Sequence, residues 1–465
     1  MRAALDLWLR RLRPYLVVTS LNPGTEGGRA RERQRRAFLS SAAALFGKVI
    51  SVGTSLVTIP LTLNYLGTER FGLWMTISSL VAMLAFADLG IGNGLLNAIS
   101  DANGRDDTAA IRRHISSAAI ILSLIACVLL VAFSMAYRFI TWPTLFNVRS
   151  ARAIAEAGPA VYVFMLCFAL NVPAAIVQRV QLGLQLGFIA NLWQAAGSIL
   201  ALGAILIAVN FEASLPTLVF ALAGIPVIAA LLNGVIFFGR NRPDLAPRLA
   251  FASRESAKYV AQTGLLFLVL QLVAAVTYSS DNLIVAHILG ATTVTTYAVS
   301  DKLFSFIPVI LSIILTPLWP AYGEAIARGD GAWVRVIFRK SLVLSVLAAA
   351  CFSLTLIIFG QIIINTWIGH PVAIPFGLIV GMGIWKVIEA AGNAFGILFN
   401  GANVVGFQVK VALTTAITAI VLKVYLVSRV GVSGAIFGTI ICYSLFALLP
   451  YVLIGRKIIA RKTGG

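Results

Sequence analysis

The sequence predicts an all-α integral membrane protein, with about twelve transmembrane helices in two parallel-repeat six-helix lobes around a central cavity. Three observations lead to this fold class. Hydrophobic residues make up 59% of the 465 residues, charged residues 11%, and the mean hydropathy is +0.94, whereas a soluble domain has about 25% charged residues. Apolar stretches long enough to cross a bilayer recur along the chain. A set of turn signals also occurs twice at nearly constant spacing.

Twelve apolar stretches, each of roughly 20 residues or more, have the length that a bilayer core requires. They lie near 38–64, 72–100, 115–140, 158–182, 187–210, 214–239, 259–289, 293–320, 340–366, 371–400, 406–429 and 432–455. An even number of spans places both ends of this region on the same side of the membrane.

The duplication is visible where the apolar stretches end. Leu66-Gly67 closes one stretch in the first half of the chain, and Leu289-Gly290 closes another in the second half. Further pairs with nearly the same separation are Gly104 with Gly329, Gly183 with Gly401, and Gly187-Phe188 with Gly406-Phe407. One helical module used twice predicts a basic cytoplasmic N-terminal segment 1–37, an N-lobe 38–239, a linker 240–258, a C-lobe 259–455 and a basic tail 456–465.

The distribution of Lys and Arg predicts the orientation. One side of the predicted topology collects most of the basic loop residues, and the other has only Arg70, Arg138, Arg149, Arg152, Lys423 and Arg429. Both termini are therefore expected in the cytoplasm. The net charge of +19 includes the run RARERQRR at 29–36, which we interpret as contacting anionic lipid headgroups rather than nucleic acid.

Several classes of function are disfavoured. A membrane-embedded glycan polymerase or ligase needs a sizeable external domain, but the longest predicted external loop is 141–157. Gly90-x-Gly92-x-Gly94 lies in a span, lacks the pattern of a phosphate-binding loop, and is expected to support close helix packing. The four cysteines fall in spans and the three histidines are scattered, so we expect neither a metal nor an organic cofactor.

Polar side chains inside the spans are costly and therefore mark candidate functional positions. Lys48, Lys302, Lys386 and Arg179 are the candidate substrate-binding residues, and Asp88, Asp281, Glu389 and Gln271 are the candidate ion-coupling or cavity residues. Structural interpretations remain open: Lys386 and Glu389 are close enough on one helix to neutralise each other, and Arg179 can reach the membrane surface. Asp301 and Lys302 can likewise form structural pairs. Asp88 has no basic neighbour at helical spacing, so its partner has to come from another helix or from water.

The segment YLGTERFGLWMTISSLVAMLAFADLGIGNGLLNAIS at 65–100 resembles the second-helix region of Wzx-type polysaccharide flippases. These O-antigen flippases form the oligosaccharide flippase family of the multidrug/oligosaccharidyl-lipid/polysaccharide exporter superfamily. The similarity rests on the motif residues Leu66-Gly67, Glu69, Phe71-Gly72 and Asp88-Leu89-Gly90-Ile91. Together with the duplicated spans, it covers nearly the whole chain after residue 37.

The resemblance implies a flippase, not an enzyme, for a lipid-linked oligosaccharide of the undecaprenyl-pyrophosphate type in the bacterial inner membrane. It implies alternating access for surface polysaccharide biosynthesis, with H⁺ or Na⁺ as candidate coupling ions. Polysaccharide polymerase and chain-length machinery are candidate partners, besides membrane lipids and without nucleic acid. A cation-coupled multidrug exporter of the same superfamily is the alternative.

Overall fold

The computed structural model describes residues 26–83, 86, 88–146, 148–368, 374–455 and 457, and these residues form helices joined by short turns. They divide into two compact units, the first ending at Leu265 and the second beginning at Leu266. Most of the predicted N-terminal segment, most of the tail and His370 lie outside the described residues.

In its described residues, the first unit has nine α-helices, the first of which is kinked at Gly67, and the beginning of a tenth. They are α1 (Glu26–Met83), α2 (Ile91–Gly104), α3 (Thr108–Tyr137), α4 (Trp142–Leu145), α5 (Ala151–Ala174), α6 (Ile176–Gly183), α7 (Gly187–Asn210), α8 (Leu215–Val219) and α9 (Ile225–Ile236), followed by α10 (Arg254–Leu289). Side chains fix some of the starts: Asp107 accepts a hydrogen bond from the Ala110 amide and thereby caps α3. The unit has two apolar cores, one around Ile99 and Ile115 and the other around Trp74 and Phe164.

The second unit contains the rest of α10 and seven further helices. They are α11 (Ala291–Phe304), α12 (Phe306–Leu315), α13 (Leu318–Ala327), α14 (Gly331–Ile368), α15 (Phe376–Gly401), α16 (Val405–Val430) and α17 (Ser433–Tyr443). Its core surrounds Phe304 and Met382, both of which are fully buried. Among the candidate spans in the described residues, α15 has the largest fraction of buried residues. The other helices of this unit therefore pack around it.

Eleven helical segments in the described residues are long and apolar enough to cross a membrane. The predicted span at 72–100 is not one of these segments: among the described residues, α1 extends to Met83 and α2 begins at Ile91. Leu89 and Gly90 lie between them with φ of 50° and 73°, a conformation that stops a right-handed helix. The prediction of a continuous second span was therefore wrong, whereas the all-helical membrane fold with about twelve spans is confirmed.

Glycines in the interrupted span permit close packing, as the sequence predicted. A Cβ on Gly94 would lie 2.5 Å from the Val260 carbonyl oxygen and 2.9 Å from the Gly264 nitrogen, so a side chain there would collide with the backbone of α10. Gly264 in turn approaches the backbone of Ile91. This reciprocal contact brings the start of α10 against α2 within the first unit.

The backbone preserves the duplication even where the sequence has changed. Positive φ angles occur in pairs whose separation along the chain is nearly constant: Gly67 with Gly290, Asp106 with Gly329, Gln185 with Asn403, and Glu212 with Gly431. Left-handed turns are thus repeated at matching points in both halves. The interruption at Leu89 and Gly90 is different, because its counterparts in the second half, Ser312 and Ile313, lie inside the regular helix α12.

The segment between α9 and α10 is docked onto the first unit. Leu245 is fully buried, the Ser116 hydroxyl accepts a hydrogen bond from the Arg248 amide, and the Ser117 hydroxyl bonds both backbone groups of Ser253. Leu249, in contrast, is 81% exposed. The domain limits proposed from the sequence remain predictions, and the boundary between the compact units lies within α10 rather than in this segment.

These exposures give a test of the predicted orientation. In a chain whose native cysteines are replaced by alanine, Leu249→Cys should react with a membrane-impermeant thiol reagent only after the cytoplasmic face is opened. Phe139→Cys, at an 88% exposed position after α3, should react in intact cells. The buried Leu245→Cys is the matched control and should react in neither case. Labelling of Leu249→Cys in intact cells would show that the orientation is reversed.

Candidate functional site

Asp88 lies in the interruption between α1 and α2 and caps α2. Its Oδ1 accepts a hydrogen bond from the Gly90 amide at 2.9 Å, and its Oδ2 accepts one from the Gly92 amide at 3.3 Å. These amides belong to the first turn of α2, where N–H groups have no partner within the helix and the helix dipole is positive. The carboxylate is therefore held at the end of a helix inside the predicted second span.

Arg179 approaches the same position from α6. Its Nη1 donates to Asn93 Oδ1 at 3.0 Å. A Cβ on Gly92 would lie 2.7 Å from Arg179 Nε and 2.8 Å from Asp88 Oδ2, so the guanidinium and the carboxylate converge over this glycine. Asp88 thus meets a cationic group from another helix, one of the two environments that the sequence left open. We call Asp88, Gly92, Asn93 and Arg179 the helix-break cluster.

The second unit holds a buried ion pair between α10 and α16. Lys423 Nζ lies 2.5 Å from Asp281 Oδ1, and the Lys423 side chain is 1% exposed. The Tyr297 hydroxyl donates to Asp281 Oδ2 at 2.6 Å, and Lys423 Nζ also donates to the Thr277 carbonyl oxygen at 3.4 Å. Both oxygens of the buried carboxylate are therefore matched by groups of the same unit.

A second ion pair lies beside it on α15. Lys386 Nζ donates to Glu389 Oε2 at 2.9 Å, which confirms the neutralisation expected from their spacing, and lies 3.9 Å from Asp301 Oδ1. Lys386 is buried, whereas the Asp301 side chain is 51% exposed. Tyr297 and Asp301 are one turn apart on α11 and so lie on one face of that helix. The two ion pairs are therefore neighbours along this face.

The other candidate residues lie on three helices, α1, α10 and α11. Lys48 on α1 and Lys302 on α11 are exposed, and neither has a carboxylate within ion-pair distance among the residues that the structure describes. Gln271 on α10 is half-buried, and its buried Oε1 has no hydrogen-bond partner within the described part of the chain. Lys48 belongs to the first unit, while Lys302 and Lys386 belong to the second.

Lys423 requires a correction. The distribution of basic residues predicted an external-loop position for Lys423, but the residue lies inside α16 with 0% relative exposure. The signal was available, since residue 423 falls well within the predicted span 406–429, where a charged side chain indicates an internal partner. Tyr297 could not have been selected, because a tyrosine in an apolar helix is usually a core residue.

The motif residue Glu69 has a structural role at one end of the first unit. Its carboxylate accepts hydrogen bonds from the amides of Arg149 and Ser150 at the start of α5. The hydrogen bonds from Ser150 and Arg149 hold the pKa of Glu69 below its usual value. Nearby, Arg70 makes two hydrogen bonds to Glu156, at 2.7 and 3.0 Å. These contacts tie the part of α1 beyond Gly67 to α5.

The fold is similar to that of solved transporters. A MATE protein in the bent conformation has a TM-score of 0.80 at 13% identity, covering 93% of this chain and 97% of that one. An outward-facing multidrug resistance MATE family transporter of the MOP superfamily has a TM-score of 0.76 at 15% identity, with the same coverage. A MOP superfamily transporter from Pyrococcus furiosus has a TM-score of 0.74 at 14% identity, covering 92% and 96%. At these identities, the likeness establishes the fold alone.

Two curated relatives are similar over much of their sequence. A Salmonella typhi protein named as an O-antigen transporter is 21% identical over 415 residues, covering 88% of this chain and 94% of the relative. A Yersinia pseudotuberculosis protein named as an O-antigen export protein is 20% identical over 355 residues, covering 75% of this chain and 79% of the relative.

The chain is a multi-pass membrane transporter rather than an enzyme. The family described as "Polysaccharide biosynthesis protein" matches residues 40–325, more than half of the chain, and the protein therefore belongs to that family.

Proposed function

We propose that the protein is a flippase that moves a lipid-linked oligosaccharide, of the undecaprenyl-pyrophosphate type, across the bacterial inner membrane for surface polysaccharide biosynthesis. The observation that carries this proposal is the similarity to relatives named as O-antigen transporters along most of both chains. Family membership and the transporter fold support the same conclusion. We expect alternating access, in which the headgroup site opens to each side of the membrane in turn.

The physical difficulty of this reaction lies in the headgroup. An isolated charge moved from water into hydrocarbon costs tens of kcal/mol by continuum estimates, so a pyrophosphate cannot cross the bilayer unaided. Cationic side chains in a hydrated path remove that barrier, while the prenyl tail remains in lipid. The protein needs cations that are inside the membrane region and are not already neutralised.

Lys48 and Lys302 best meet this requirement. Both are exposed on helices of predicted spans and lack a carboxylate partner among the described residues. Lys386 is engaged with Glu389, so it would contribute to anion binding only by leaving that pair. Arg179 donates to Asn93 and faces Asp88, which suits a positioning role near the helix break.

Asp88 is the best candidate for a coupling carboxylate in the first unit. It lies at an interruption of a membrane helix, where its carboxylate accepts hydrogen bonds from backbone amides that have no partner in a helical turn. Binding of H⁺ or Na⁺ would neutralise it and weaken its attraction to the α2 terminus and to Arg179. Such a change would alter the local structure of the helix break.

The alternative is a cation-coupled multidrug exporter, suggested by the fold similarity to a multidrug resistance MATE transporter. The phenotype of a deletion strain distinguishes the two functions. A flippase mutant should lose surface polysaccharide and keep its drug susceptibility, whereas loss of an exporter should increase drug susceptibility and leave the polysaccharide unchanged. The second outcome would reject our proposal.

We predict that Lys48→Ala and Lys302→Ala each reduce polysaccharide export while membrane abundance is unchanged. A charge-assisted contact contributes about 1.5–3 kcal/mol, so each change should weaken headgroup binding about ten- to a hundredfold. Lys→Arg should be milder because the charge remains. Surface polysaccharide in a complemented deletion strain is the measurement, and Lys410→Ala, at an exposed position near the start of α16, is the control. Normal export by the double Lys48→Ala, Lys302→Ala variant would exclude both lysines as anion-binding residues.

We also predict that Asp88→Asn gives a stable protein that no longer accumulates substrate against a gradient. Asparagine retains an oxygen acceptor for the α2 amides but removes the charge. A unit charge moved through 100 mV gains about 2.3 kcal/mol, or roughly a fiftyfold bias in direction. Headgroup translocation in reconstituted vesicles with and without an ion gradient measures this bias, with Asp101→Asn as the control at another acidic position of the unit. Full gradient-driven transport by a stable Asp88→Asn protein would rule out the coupling role.

A further inference from the structure

Lys423 reaches Asp281 from a position where α16 and α17 pack closely. It leaves α16 beside Gly438 on α17, where an added Cβ would lie 2.9 Å from Lys423 Cγ and 3.1 Å from its Cα. Any side chain at position 438 would press on the lysine stem. The absence of a side chain at Gly438 therefore lets α17 pack against the backbone and the Cγ of Lys423.

The ammonium at the end of this path has oxygen atoms around it. Asp281 Oδ1 lies at 2.5 Å and the Thr277 carbonyl oxygen at 3.4 Å, both from α10. The Tyr297 hydroxyl, on α11, donates a hydrogen bond to the other carboxylate oxygen of Asp281. This bond fixes the orientation of the carboxylate toward Lys423. Carboxylate and carbonyl oxygens are also the types of ligand that hard cations bind.

The fold itself does not require this ion pair. When the two halves are aligned on the nearest pair of left-handed turns, Asp281 corresponds to Thr58 and Lys423 corresponds to Ala204. The first half of the chain therefore builds its copy of the module without a charge at either position. Buried ion pairs are also weak stabilisers compared with apolar residues of similar size. Packing alone thus gives no reason for a buried lysine here.

We propose that Lys423 is a tethered cation: its ammonium fills a monovalent-cation site formed by Asp281 and the Thr277 carbonyl, and a free cation enters only when the lysine is removed. The other charged groups along this face of α11 are Asp301 and, through it, Lys386 and Glu389. In the native protein, Asp281 is consequently neutralised without an ion from solution. This inference does not depend on the identity of the transported substrate.

Chemical rescue of shortened side chains tests the proposal. Lys423→Ala removes three methylene groups and the ammonium, which together have the shape of n-propylammonium. Lys423→Met keeps a stem of similar length over Gly438 and leaves space only for an ion the size of NH₄⁺ or Na⁺. We expect n-propylammonium to raise the Tm of the purified full-length Lys423→Ala protein saturably by several degrees, and NH₄⁺ or Na⁺ to do so for Lys423→Met.

Four controls distinguish a cation site from simple filling of a cavity. The uncharged 1-propanol has the same shape as n-propylammonium and should have no comparable effect. Tetramethylammonium has the charge but is too bulky. The double variant Lys423→Ala, Asp281→Asn lacks the carboxylate, so n-propylammonium should not stabilise it. Exchange of Na⁺ for choline should leave the Tm of the native protein unchanged.

The outcomes are decisive even if a single variant folds poorly. Recovery of monodisperse Lys423→Ala protein only when n-propylammonium is present would support the site. Failure to recover it with that cation, while the double variant is recovered, would overturn the proposal. Equal stabilisation by 1-propanol would overturn it as well. So would Na⁺-dependent stabilisation of the native protein that disappears in Asp281→Asn.

Discussion

The constraint on which the structure depends is that hydrocarbon offers no partner to a polar group, so each polar group in the membrane region has to find one within the protein. The clusters described above are different solutions to this constraint. In the first unit, Asp88 satisfies the free amides of an interrupted helix, and Arg179 approaches it over Gly92. In the second unit, carboxylates and lysines neutralise each other directly. These arrangements decide which charges remain available for a substrate.

The availability of charge connects the structure with the proposed function. A lysine already paired with a carboxylate cannot also neutralise a headgroup without breaking that pair, and breaking a buried pair costs about 3–5 kcal/mol. Lys48 and Lys302 are therefore better candidates for headgroup binding than Lys386, although the sequence alone did not distinguish the three lysines. It also distinguishes Asp88, which is half-buried at the helix break, from Asp281, which is enclosed by Lys423 and Tyr297.

Hydropathy and spacing were sufficient to predict the helical membrane fold, because length and apolar composition are set by bilayer thickness. They also predicted the pairing of Lys386 with Glu389, which depends only on helical geometry. They failed where the determining contacts come from distant segments. The left-handed turn at Leu89 and Gly90 lies in a stretch that is apolar enough, despite Asp88 and Asn93, to be assigned to one span. The partner of Asp281 is Lys423, far along the chain, so its identity depends on how α10 and α16 pack.

The interruption in the second span also bears on how the chain enters the membrane during synthesis. Helix α2 has 14 residues, about 21 Å of helix, which is shorter than the hydrocarbon core of about 30 Å. The Gly90 and Gly92 amides are satisfied within this segment by Asp88, but the cationic neighbour of the carboxylate is not part of it. The guanidinium that faces Asp88 is on α6, which is translated only after α3, α4 and α5. Asp88 therefore meets its cationic neighbour only once α6 has emerged, which is later than the second span itself.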